Sequence, residues 1–180
     1  MNKELNQNLT MMAEADQQLL KQLFELGELP SDEYHPKMRA LHEENVAALK
    51  EIINEYGWPG LSLVGSEGAK SAWLIAQHAV SDMGFMSDCI ELLKGAVATG
   101  EAEGWQLGFL QDRVLTMSGK EQLYGTQFDV DEEGWPFPFR IADPDTVDER
   151  RAALGLNSLA ERLEEMRKRE RERRMQIREF

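Results

Sequence analysis

The chain has 180 residues, 42% of them hydrophobic, with 33 acidic side chains against 20 lysines and arginines and a net charge of −13. That is the length and apolar content of one ordinary domain with a core of its own, which excludes a disordered polyampholyte. Residues 161–180 hold eight basic and six acidic side chains, a net of +2, so residues 1–160 carry −15, a charge that repels phosphate backbones and argues against a nucleic-acid partner.

Leu5, Leu9, Met12, Leu19, Leu23 and Leu26 recur mostly at helical spacing and predict an amphipathic helix from about Lys3 to Leu26, stopped by Gly27 and Pro30. The same segment sets charges and amides where a signal peptide needs an unbroken apolar run, and no later stretch approaches a membrane span. From Pro36 a second stripe of Met38, Leu41, Ala48, Leu49, Ile52 and Tyr56 runs to the break at Gly57, Trp58, Pro59 and Gly60, with Asn45 interrupting it. Ser66 caps a third predicted helix through AKSAWLIAQHAVSD, apolar nearly all round except at Gln77 and His78, which suits a central buried position.

A fourth helix is expected from about Phe85 to Ala98, ending at Gly100. Its Cys89, the single cysteine, sits among Phe85, Ile90, Leu92 and Leu93 and reads as a buried thiol in a reducing compartment. A fifth, from about Glu103 to Met117, carries Leu107, Leu110, Val114 and Met117 on one face and Asp112-Arg113 near its end. KEQLYGTQFDV and WPFPFRI then flank a DEEG turn, which predicts a short β-hairpin near residues 121–141 whose prolines confine the second strand to an edge. Thr146 and Glu149 have capping-box spacing before a short helix closed by Gly155, and Ser158 with Glu161 repeats the device. Leu156, Leu159, Leu163 and Met166 form a narrow docking seam. The following RKRERERRMQIREF reads as a solvated tail, of which residues 168–180 are expected to be dispensable for folding because the seam lacks apolar residues after Met166, and Glu170 and Arg173 stand where a long coiled coil needs them.

The reading is therefore a mainly α, compact, bundle-like single domain over residues 1–160 with a charged C-terminal helix over 161–180, resident in the cytoplasm and without a membrane partner. Polar residues beside apolar faces mark the candidate site, since each needs an internal partner. His78 is the candidate acid or base, with Gln77 beside it; Asp112 joins it as an internal partner and Arg113 as the group that orients an anionic or carbonyl ligand. Asn45, Trp58, Gln122, Tyr124, Thr126 and Gln127 are the candidate ligand contacts, the last four gathered around Gly125. No metal site is assigned, because His42, Glu43, His78 and Asp112 show no diagnostic spacing and HEENV lacks the second histidine of the zinc-protease motif. No cofactor is specified.

YGWPG at 56–60, AWLIAQHAVSD at 72–82, LQDRVL at 110–115, GKEQLYGTQF at 119–128 and VDERRAALGL at 147–156 together resemble an uncharacterised bacterial family defined only as a domain of unknown function. The resemblance covers about residues 40–160 and implies a pocket shared by Trp58-Pro59, Gln77-His78, Asp112-Arg113 and Tyr124 to Gln127, with no ligand named. The acidic residue common in that family after Gln-His-Ala is Val80 here. Two functions follow as expectations: a small-molecule-binding protein or enzyme using that pocket, or an acidic, immunity- or inhibitor-like module that docks a basic protein partner through charge.

Overall fold

Asn2 opens the first helix by accepting the Leu5 amide on its side chain at 3.1 Å, and Glu4 adds acid to the first turn, where the helix dipole favours it. The computed structural model describes residues 1–31 and 33–178, the last three by backbone alone; Glu179 and Phe180, the end of the expected charged extension, lie outside the described residues. The chain is 68% helical with a small two-stranded hairpin, the mainly α class that the periodicities predict. Its contacts divide it into two compact units, Met1–Ala102 and Glu103 onward.

In the first unit α1 (Lys3–Glu25) packs on α2 (Pro36–Tyr56) and α3 (Leu61–Gln77), and α3 also meets α4 (Met83–Ala98). Leu9, Leu49, Val64, Ala72, Met86 and Leu93 form the dry centre. Gly65, at φ 71°, breaks α3 after one turn, so the main body of that helix starts at the expected Ser66. Its end differs from expectation. Asp82, predicted inside the helix, instead accepts the Phe85 amide at 2.9 Å and caps α4, so α3 stops at Gln77 with His78 as its C-cap. His78 is consequently at a helix end with its side chain 22% exposed, and not enclosed in the middle of a buried helix.

The second unit holds α5 (Gly104–Met117), strands β1 (Phe128–Val130) and β2 (Pro136–Pro138), a 3-10 turn, α6 (Val147–Ala153) and α7 (Leu159–Arg178). The strands pair antiparallel with Asp129 opposite Phe137, and the Asp131 carboxylate accepts the Glu133 and Trp135 amides at the turn. The capping box expected at Thr146 does not form; its hydroxyl donates to Asp143 at 2.7 Å. The Ser158 and Glu161 box does form, with amide bonds of 2.9 and 3.2 Å. Among the described residues the charged tail meets the hairpin turn, where Arg174 donates to the Glu133 carbonyl at 2.7 Å and lies 4.0 Å over the Trp135 ring. Among the described residues no helix is long and apolar enough to cross a membrane.

Candidate functional site

The buried polar centre of the first unit is built on Asp16, a carboxylate on the apolar stripe of α1 and only 2% exposed. Burying such a charge is costly unless donors surround it. Two imidazoles supply them: His42, from the inner face of α2, meets Oδ1 through Nε2 at 3.0 Å, and His78 meets Oδ2 through Nδ1 at 2.5 Å. The two rings stand 4.9 Å apart, centre to centre, and the Tyr34 hydroxyl bonds the far nitrogen of His42. Burial disfavours the Asp16 carboxylate, but the hydrogen bonds from His42 and His78 and the charge of their rings outweigh it and hold the group well below the usual carboxylate range.

The two imidazoles of this triad, with Asp16 behind them, line a cavity of about 280 Å³, whose other walls include Val46, Ala47, Ala79 and Ser81. Lys50 and Asp82 pair at 2.6 Å on its rim. Gln77, next to His78, is buried with its Nε2 donor lacking a hydrogen-bond partner among the described residues. Asn45 is buried on α2 and donates to the Met12 carbonyl at 3.3 Å, tying α2 to α1. Trp58 is half-buried in the break after α2, its carbonyl accepting the Gly60 amide.

The remaining expected site residues belong to the second unit, where they find partners among themselves. Asp112, fully buried on α5, accepts the amides of Leu123, Tyr124 and Thr126 and the Thr126 hydroxyl, all at 2.7 to 3.1 Å. Burial pushes this carboxyl above its ordinary value, against donors that each favour the charged form. Gln122, also fully buried, bridges the strand ends by donating to the Gln127 and Phe139 carbonyls and accepting the Gln127 amide. The Gln127 side chain donates to the Thr126 hydroxyl at 3.1 Å. Arg113 is half-buried on α5. The neighbouring Arg151, 1% exposed, donates to the Asn157 and Tyr124 carbonyls. The YGTQ motif is thus a loop whose Tyr124 and Thr126 amides and Thr126 hydroxyl wind around one carboxylate.

Sequence reasoning joined His78 to Asp112 and missed Asp16. A signal for it was present: Asp16 stands three residues after Ala13 and seven after Leu9, on the face that Leu5, Leu9 and Leu23 bury. His42 likewise falls on the buried stripe of α2, four residues after Met38. Chemically, the triad offers two uses. A carboxylate that holds one imidazole nitrogen fixes the tautomer of the ring and frees the other nitrogen for proton transfer, and two imidazoles with a carboxylate are also a donor set for a metal ion.

Comparison with curated proteins and with solved structures finds no match. The profile of a family of unknown function (DUF6624) matches residues 3–170, which takes the likeness beyond residues 40–160 to include the helix that carries Asp16, and the chain belongs to that family.

Proposed function

We propose that the protein binds a small molecule in the cavity of its first unit and acts on it there, with His78 as the proton-handling group and Asp16 as the residue that positions it. The observation that carries this reading is the hydrogen bond from His78 Nδ1 to a buried Asp16 carboxylate at a cavity wall. That bond fixes the tautomer in which Nε2 is free to take a proton from a bound ligand. The volume of about 280 Å³ suits a ligand of metabolite size, near the lower end of the ~300–1,000 Å³ of ordinary ligand pockets. Apolar Val46, Ala47 and Ala79 give such a ligand a dry contact, and the Lys50 and Asp82 pair meets its polar end. Asp112, Gln122 and Thr126 serve this reading as framework of the second unit. The same reading makes it a bacterial cytoplasmic protein without a nucleic-acid partner, in which the Cys89 thiol, pushed up to about 12 by burial, stays protonated and unreactive.

The test is a thermal-shift screen of metabolites and nucleotides on the wild-type chain beside His78→Gln. A ligand at about 100 times its Kd stabilises the folded state by ~2.7 kcal/mol, enough to be read as a clear rise in melting temperature. The expected result is a response in the wild type that is lost in a variant of nearly unchanged intrinsic stability. A panel in which every responding ligand acts equally on His78→Gln sinks the reading. The acidic surface would then favour the docking of a basic protein partner, for which the net charge of −13 is the support.

A further inference from the structure

We propose that Asp16, His42 and His78 hold one divalent transition-metal ion, of the zinc, cobalt or iron(II) kind, at the wall of this cavity. The inference rests on the reading that the cavity is the functional site, and it names the group at the reactive end: with the ion in place, His78 is its ligand and not a free base.

The geometry carries it first. One donor atom from each residue lies within 4.8 Å of the other two. Around a tetrahedral ion with bonds of 2.0–2.1 Å, neighbouring donors stand about 3.3 Å apart. The two nitrogen-to-oxygen separations, 3.0 Å to Oδ1 and 2.5 Å to Oδ2, are at or inside that distance but engage different oxygens of Asp16, so an ion held through one of them needs the carboxylate to turn and the imidazoles to draw together. Each ligand comes from a different helix or helix end, α1, α2 and the C-cap of α3, so the packing of the unit and not a flexible loop sets their spacing.

Charge and chemistry agree. Asp16 is buried, and among the described residues no lysine or arginine pairs with it; a divalent ion supplies a fixed positive charge, which imidazoles carry only when protonated. Imidazole nitrogen selects borderline transition metals over calcium or magnesium, which prefer oxygen shells. The Tyr34 hydroxyl on His42 Nδ1 is the outer partner that orients a ligating ring, leaving Nε2 for the ion. Three protein ligands beside a cavity leave a coordination position open to a small molecule, the arrangement of reactive rather than purely structural sites.

The full chain, stripped with EDTA and dialysed, is to be titrated with zinc chloride by calorimetry and with cobalt(II) chloride by visible absorption. The expected result is one ion per chain, with the visible bands of a low-coordinate cobalt site. Asp16→Asn keeps the shape of the side chain and removes its charge, and His78→Gln changes only the partly exposed end of the cluster; each is expected to weaken zinc binding at least about tenfold. His35→Gln, at the third histidine, which bonds Glu28 outside the cluster, is expected to leave it unchanged. Circular dichroism shows which variants are folded. A folded wild type that binds no zinc, or folded Asp16→Asn and His78→Gln that bind as tightly as wild type, overturns the proposal. An ion-free wild type that still shows a His78-dependent ligand response overturns the metal and leaves the acid-base reading standing, whereas zinc binding without any ligand response supports the metal and removes the substrate reading.

Discussion

Asp112 shows how much of a unit can depend on one side chain. Its two oxygens terminate the amides of Leu123, Tyr124 and Thr126 and the Thr126 hydroxyl, and each of these donors, buried and unpaired, costs about 1–3 kcal/mol. Asp112→Ala is therefore expected to destabilise the fold by about 3–5 kcal/mol, because the loop can rewet only some of the donors it leaves behind. Asp112→Asn, which keeps one acceptor oxygen, should lose roughly half as much. Urea denaturation followed by circular dichroism decides it, and an alanine variant as stable as wild type would return Asp112 to the list of residues available for chemistry. Asp16 has the same burial and the opposite kind of surroundings: its partners are side chains that can change their bonding, whereas those of Asp112 are mostly backbone.

At the level of elements, two glycines in neighbouring helices separate packing from propensity. A Cβ on Gly104, at the start of α5, would sit 2.8 Å from the Leu154 carbonyl oxygen and 3.0 Å from its Cα, and backbone atoms there cannot swing aside. Gly95, inside α4, has nothing within 4 Å of such a Cβ. Gly104→Ala is expected to cost about 1–3 kcal/mol, and Gly95→Ala to stabilise by about 0.5–1 kcal/mol through helix propensity. Thermal melts of the two variants should move in opposite directions; a shared direction would mean that the α5 start repacks. The helices themselves were legible, because stripes such as Leu5, Leu9 and Leu23 and stops such as Gly57 and Gly100 act locally. The end of α3 was not, since Ala79 and Val80 extend its apolar run past Gln77 while Asp82 is taken by the Phe85 amide as the cap of α4. Nor was the docking of α7, where Arg174 finds the Trp135 ring 39 residues earlier in the chain. Charge run and docking face look alike until a partner element is placed.

For the whole molecule, the two buried carboxylates pull acid stability in opposite directions. Asp16 titrates in the folded chain below its ordinary value of 3.8, so the stability it contributes is present above that pH and is lost as the pH falls. Asp112 titrates above 3.8 when folded, so its contribution is present below that pH and is lost as the pH rises through its folded value. Between about pH 5 and pH 3, Asp16→Asn should consequently lose less stability than wild type and Asp112→Asn should lose more. Denaturant midpoints taken across that range test the signs, and parallel curves for all three proteins would refute them. Composition announced an acidic molecule, yet which acids matter depended on burial, and burial at Asp16 is decided by α2 and the end of α3 closing over α1.

The separation of the triad along the chain has a consequence of its own. His42 lies 26 residues and His78 62 residues after Asp16, so bringing them together closes two long loops. The entropy of such closure grows only slowly with loop length, and here helix packing meets it during folding. Any ligand or ion bound there would meet a centre that helix packing has already brought together, so its affinity would not be reduced by the ordering of a loop. The same wiring makes the centre all-or-none during synthesis: a growing chain carries the carboxylate first, then one imidazole, and completes the set only when the C-cap of the third helix has been made.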